Sequence, residues 1–434
     1  MASSLKDMVS AIAPTIPTAL IQPEALTEIA AVAQHLPLTL GTTVGFECPL
    51  STPGKADFFL RVSGAWGQSL LAGQPQMLPV LDQLSPESHL LPLEFAHLWQ
   101  NAPWQSIRQF ARQWAEPTSQ LHQVVEDIWL EFDIASGGDS MPLPSVFFGV
   151  KPEGPSDLDW VSQTALPTLL GQSLQPQTEE TLQCCLRAIP NTAELFQVGL
   201  LSGRTSTEAD VPAIRLYIRN LTLAEVRSLL HNVSWPGDPD LLAALLQRVS
   251  TGTRRFTLQL EIQATLSPVI AVECMFASRP EWHQVLDRLV VTGFCSRDRA
   301  QALLDYPGYV RAKHQVAPFP ALLKNWSTQL APYRECVLVK RLAYLKFTYQ
   351  PGQPLLAKAY LGLSPTWIDA RYLEPKDPYH QKLPDQETLA VGLCKALIQQ
   401  LDYGEIDVDA LVPCTRSQKS RLLNQTLETL CIGG

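Results

Sequence analysis

Residues 213–220 read AIRLYIRN. In an extended chain successive side chains leave on opposite sides, so Leu216 and Ile218 share one face while Arg215, Tyr217 and Arg219 share the other. Such a strand needs apolar cover on one side and a polar space on the other. The pattern recurs in five pairs of strands: Thr42–Cys48 with Ala56–Ser63, Asp127–Ile134 with Ser145–Lys151, Glu194–Leu201 with Ala213–Asn220, Phe256–Ala264 with Val269–Phe276, and Val337–Tyr349 with Leu355–Leu363. Ten antiparallel strands in one chain can close into a ring that leaves no exposed edge.

The alternation tells inside from outside. Leu130 and Phe132 oppose Trp129, Glu131 and Asp133; Phe46 opposes Glu47; Leu258, Leu260 and Ile262 oppose Gln259, Glu261 and Gln263; Leu345 and Phe347 oppose Tyr344, Lys346 and Thr348. Two amphipathic helical stretches precede most of the hairpins, and their apolar stripes must be buried, so the apolar strand faces go beneath the helices. The interior then holds Glu47, Arg61, Asp133, Arg215, Glu273, Lys346 and Lys358. Unpaired buried charge is costly, so this reads as a solvated or ligand-filled chamber. The expected fold is α+β: a ten-stranded antiparallel β-barrel with a polar lumen, surrounded by helices in repeated ααββ units. It spans residues 1–363, with a connector and further helices at 364–434 that cap the barrel or are appended to it.

Helices are expected at Pro23–His35, Gln76–Leu84, Pro92–Trp114, Asp159–Leu170, Glu179–Ala188, Thr222–Asn232, Asp238–Val249, Pro280–Thr292 and Ser296–Leu304. Thr222 with Glu225 is a capping box. Turns are marked by Ser51–Gly54, by Ser267-Pro268 and by Gln350-Pro351-Gly352-Gln353. Ser364–Leu383, rich in proline and tyrosine, reads as the connector, and Asp385–Leu401 and Thr415–Leu430 read as later helices.

With 46% hydrophobic and 17% charged residues the chain has ample material for a core. A formal net charge of −9 and the lack of any Lys/Arg cluster speak against nucleic-acid binding. No apolar run approaches about 18 residues, so no membrane span is expected, and MASSLKDMVSAIAPTIPTAL makes a poor signal peptide. The nine cysteines include no CxxC pair, and Cys48, Cys184, Cys185, Cys274, Cys295 and Cys394 sit in apolar runs. Buried free thiols and a cytoplasmic location are expected. The eight dispersed histidines lack ligand spacing, and no P-loop, GxSxG or dinucleotide fingerprint occurs.

The segment GTTVGFECPL followed by ADFFLRVS resembles the first hairpin of the dimethylallyltryptophan synthase family of aromatic prenyltransferases. IWLEFDI is similar to that family's strand bearing a Phe-Asp pair, here Phe132-Asp133; AIRLYIRN looks like its R-x-K-I-Y-V-R strand; YLKFTYQPGQPLLAKAYLGL resembles its last hairpin. The resemblance implies a prenyltransferase barrel that moves a prenyl group from an isoprenoid diphosphate to an aromatic acceptor, an indole-like small molecule or a peptide side chain, with neither metal nor other cofactor. It implies Glu47 as the carboxylate that receives the acceptor's N–H, Arg61 as the first diphosphate-binding arginine, Arg215 and Tyr217 beside it, and Tyr360 as a shield for the allyl cation. Where the family carries Lys-x-Tyr in its second and fourth hairpins, this chain has Ser145-Val146-Phe147-Phe148-Gly149 and Val269-Ile270-Ala271-Val272-Glu273.

Physical reasoning on the residues points the same way. An allylic diphosphate leaves with roughly three negative charges, and without metal these need converging Arg, Lys and Tyr donors in a water-poor cavity. The inward candidates are Arg61, Arg215, Arg219, Lys346 and Lys358, with Tyr217, Tyr344 and Tyr360. Trp129, Phe147 and these tyrosines offer π faces to a carbocation, and Glu47, Asp133 and Glu273 face the acceptor. As a general base, Glu47 would give a glutamine variant that folds and loses about 100-fold in turnover. Two alternatives remain open. The inward cations and carboxylates form a satisfied polar interior that binds a ligand or peptide without chemistry, or the carboxylates perform acid–base or cyclisation chemistry.

Overall fold

The computed structural model describes residues 3–51, 54–74, 98, 100–134, 141–152, 157–204, 211–249, 255–276, 278–312, 318–330 and 334–369. The helices expected at Gln76–Leu84, Asp385–Leu401 and Thr415–Leu430, and Cys394, lie outside these residues.

The strands are β1 Thr43–Pro49, β2 Asp57–Val62, β3 Val125–Phe132, β4 Ser145–Val150, β5 Glu194–Leu200, β6 Ile214–Leu221, β7 Phe256–Ile262, β8 Leu266–Cys274, β9 Gly308–Arg311, β10 Arg334–Tyr349 and β11 Leu356–Asp369. From β1 to β8 each pairs antiparallel with the next; β8 pairs with β10, β10 with β11, and β11 returns to β1. Ten strands thus close a ring. The eleventh, β9, lies against the first half of β10, with Arg311 opposite Val337 and Gly308 opposite Lys340.

The facing follows the sequence alternation. Leu216, Ile218, Leu258 and Phe132 are wholly buried in the main core between sheet and helices. Phe110, on the helix Ala102–Ala115, meets Phe148 of β4 with ring centroids 5.3 Å apart, and Trp235 meets Tyr349 of β10 at 5.8 Å. A separate, smaller cluster of Phe147, Tyr217, Leu201 and Ala213, flanked by Trp129 and Phe196, occupies the lumen. Two glycines make room there. A Cβ on Gly199 would come within 2.3 Å of the Phe147 ring, and one on Gly45 within 2.3 Å of the Phe59 ring. Both aromatic side chains lie flat across a neighbouring strand because it lacks a side chain at that point.

Helix starts obey their caps. Thr222 and Glu225 form the expected reciprocal box, Ser278 and Glu281 form another, and Ser296 caps Arg297–Asp305. Among the described residues no helix is long and apolar enough to cross a membrane.

Four details differ from expectation. Ser267-Pro268 lies within the start of β8, where proline's missing N–H is tolerated, and the chain reverses at 263–265 instead. β11 runs on through Ser364–Asp369, paired to Arg334–Val339, where the sequence suggested a connector; Pro365, which has no N–H to give, sits within the pairing opposite Leu338. Leu5–Ile12 forms a capped helix with Leu5, Met8, Val9 and Ile12 buried, at a segment weighed only as a leader. Cys184 is exposed while Cys185 is buried, since adjacent helical residues point about 100° apart. Cys48, Cys274 and Cys295 are buried free thiols, and Cys336 is buried as well.

Candidate active site

Glu47 projects inward from β1, opposite Tyr360 of β11 on one side and Asp57 of β2 on the other. Lys346 projects from β10, opposite Lys358 of β11 and Glu273 of β8. The Glu47 side chain is wholly buried; Oε2 accepts from Lys346 Nζ at 2.8 Å and Oε1 accepts from Lys358 Nζ. Lys346 also donates to the Tyr360 hydroxyl at 2.5 Å, and the Tyr360 ring stacks on Tyr344 with centroids 4.3 Å apart. Burial alone would raise the Glu47 carboxyl, but the two ammonium groups outweigh it and hold it well below the usual carboxylate range. Burial lowers the Lys346 ammonium, and Glu47 partly offsets that.

Three further cations reach the interior. Arg215 donates to Glu261 at 2.8 Å. Arg204, on a short turn after β5, donates to Glu131 at 2.6 Å and to Asp133 at 2.8 and 3.1 Å. Arg61 donates to Asp127 at 2.6 Å. Beside Arg215, burial raises the Tyr217 hydroxyl, with the guanidinium working against it.

At the end of the barrel where β6 and β11 begin, a cavity of about 720 Å³ opens. That is within the range of small-molecule sites, about 300–1,000 Å³. Its described wall includes Arg204, Arg215, Lys346 and Lys358, with Glu261 as the one carboxylate. Glu47, Glu131 and Asp133 stand behind the cations and outside this wall.

The site residues expected from sequence therefore divide. Arg215, Lys346 and Lys358 come together at the cavity. Tyr217, Phe147 and Trp129 form the lumen's aromatic cluster, and Tyr344 and Tyr360 stack beside Glu47. Arg61 is elsewhere: it pairs with Thr43, while Asp57 is the residue opposite Glu47, so Arg61 lies four residues, about 13 Å, along β2 from that point. Register, invisible in the sequence, separates them. Arg219 likewise pairs with Glu194 away from the cavity. Glu47, expected to meet an acceptor, has both oxygens engaged by lysines. Arg204, Asp57 and Gln259 were not singled out. A period-two count back from Arg61 through Phe59 marks Asp57, whereas Arg204 carries only the weak signal of Ser202-Gly203 just beyond a strand.

Two carboxyls titrate near neutrality. Burial pushes Glu273 up to about 7, with Glu47 adding to the effect while Lys346 and the hydrogen bond from Gln259 oppose it. Burial and the charge of Glu47 push Asp57 up to about 6. Both lie above their ordinary values of 4.5 and 3.8, so folding favours their protonated forms. The stability this provides is full below those ordinary values and is lost as pH rises through about 6 and about 7. Thermal unfolding is expected at a higher temperature at about pH 5 than at about pH 8, and Glu273→Gln should flatten that slope. A midpoint that climbs over the same interval counts against both assignments.

No protein-family model matches the sequence, and no curated protein is significantly similar to it. Several solved structures are. The apo form of the prenyltransferase PriB is 15% identical, covering 82% of this chain and 94% of its own, with a TM-score of 0.41. A 6-dimethylallyl tryptophan synthase is 13% identical over 83% and 96%, with a TM-score of 0.46. The 5-dimethylallyl tryptophan synthase of Streptomyces coelicolor, in complex with DMASPP and Trp, is 14% identical over 89% and 98%, with a TM-score of 0.43. The solved structures this chain resembles are aromatic prenyltransferases. The strand order stands on its own hydrogen bonds: a closed ring of ten antiparallel strands inside helices.

Proposed function

We propose that the lumen transfers a prenyl group, without metal, from an isoprenoid diphosphate to an aromatic acceptor, a small molecule or a peptide side chain. The observation that carries this reading is the cavity wall, which among the described residues sets Arg204, Arg215, Lys346 and Lys358 against the single carboxylate Glu261. Cations fixed in advance by carboxylate partners need no reorganisation when negative charge develops on a departing diphosphate. In the step, the allylic C–O bond breaks with its electron pair going to the diphosphate. The acceptor ring forms the new C–C bond, and the ring proton is then lost to a base or to the diphosphate. Tyr344, Tyr360, Tyr217 and Phe147 supply π faces against the cation. Glu47 is a positioning residue that holds Lys346 and Lys358.

The test is a thermal shift with dimethylallyl S-thiolodiphosphate in the presence of a chelator. A ligand at about 100 times its Kd stabilises the native state by about 2.7 kcal/mol. A clear rise with the thiolodiphosphate and little with orthophosphate is expected. One observation favours a second reading: each of the four cations already has a carboxylate partner. A charge-satisfied binding chamber would show no shift with the thiolodiphosphate and no prenylated product by mass spectrometry.

A further inference from the structure

Gln259 lies midway along β7, facing the lumen between its register partners Tyr217 of β6 and Ala271 of β8. Only 2% of its surface is exposed, yet the residue lines the cavity, as does Ala271. Its Nε2 donates to Glu273 Oε1 at 2.6 Å. Its Oε1 is buried and has no hydrogen-bond partner. Native proteins seldom leave a buried amide oxygen unpaired, because the desolvation it suffers is not recovered. The feature is therefore informative about what enters this part of the cavity. Once ionised, Glu273 can only accept, so it then obliges Gln259 to offer it the nitrogen and leaves the oxygen for something else. Tyr217 stands beside the amide with Phe147 packed edge-on against it, ring centroids 5.7 Å apart. A flat ring bearing a polar hydrogen suits these surroundings.

Resting on the transfer reading above, we propose that Gln259 selects the acceptor. Its Oε1 accepts a hydrogen bond from a ring N–H or O–H of the aromatic acceptor, and Glu273 fixes the amide in the orientation that makes this possible. Gln259 is thus a specificity-determining residue, and Glu273 a positioning residue that acts through it. A site built to pair with a substrate's polar hydrogen rejects the analogue that lacks it, because the buried acceptor then stays unpaired.

The experiment is isothermal titration at about pH 8.5, where Glu273 is ionised, of the full chain, loaded with dimethylallyl S-thiolodiphosphate, with indole and with benzothiophene. The two have nearly the same shape, and only indole carries an N–H. Indole is expected to bind about tenfold more tightly, the scale of one neutral hydrogen bond. Gln259→Met should erase the difference while the thiolodiphosphate still binds, which shows that the variant is folded. In Glu273→Leu the amide is free to turn, and discrimination should shrink without vanishing. Equal affinities in the parent chain, no binding of either ring, or discrimination that survives in Gln259→Met would each overturn the proposal. Should the thiolodiphosphate itself fail to bind the parent chain, the transfer reading falls. The two rings titrated against the unloaded chain then decide the role of Gln259 by the same criteria.

Discussion

Glu47→Gln is expected to unfold at a much lower urea concentration than the parent chain, with a loss of about 3–5 kcal/mol in unfolding free energy. The amide keeps the shape but removes the charge that faces Lys346 and Lys358, leaving two buried or half-buried ammonium groups without the carboxylate they are bonded to. This revises the expectation from sequence, in which the isosteric variant folds normally and loses only turnover. The revision follows from burial: the Glu47 side chain is wholly enclosed, and both its oxygens are taken. A second substitution, Lys346→Met, should return part of the lost stability, since it removes one of the stranded charges and replaces it with an apolar group of similar length. A loss under about 1 kcal/mol for Glu47→Gln would place the pair among solvated ion pairs and would mean that water reaches the lysines freely.

Arg215→Ala should weaken binding of dimethylallyl S-thiolodiphosphate by about 2–3 kcal/mol, a rise in Kd of roughly 30- to 150-fold, the scale of a lost hydrogen bond to a charged group. Arg215 is itself buried but borders the cavity, and its partner Glu261 is partly exposed, so the carboxylate left behind can be solvated. Arg61→Ala provides the contrast. That arginine pairs with Asp127 away from the cavity wall, and its removal should leave the Kd within about threefold. Equal effects for the two variants would mean that the diphosphate sits deeper in the barrel than the cavity mouth. An unchanged Kd in Arg215→Ala would remove that residue from the site.

The strands and their facing could be read in the sequence because each rests on a local rule. Leu216 and Ile218 alternate with Arg215 and Tyr217, and the structure buries the first pair under helices and turns the second inward. What could not be read is which inward residues meet. That depends on register, and a slip of two residues along a strand keeps every side chain on its face while changing all its neighbours. Arg61 shows this: its facing is as expected, but its neighbour is Asp127 and not the Glu47 group. Arg204 escaped because it lies on a turn, where no period marks it. The carboxylates behind the cavity cations have the same cause, since Glu47 reaches Lys346 only through the ladder that joins β1 to β11 and β11 to β10.

That ladder has a consequence for how the chain folds. Val44 of β1 pairs with Leu363 of β11, nearly the whole described chain away. During synthesis, β1 must wait for its outer partner until almost every other strand has been made, with a row of unpaired N–H and C=O groups open to any strand that passes. Contacts so distant along the chain form late and slowly, and intermediates with open edges aggregate as concentration rises. Refolding from denaturant should therefore be slow and should lose yield in concentrated solution. The strand that ends the wait also brings Lys358 and Tyr360, so Glu47 gains its second lysine only as the ring shuts. Newly made protein can have no working chamber until the last seam is sewn.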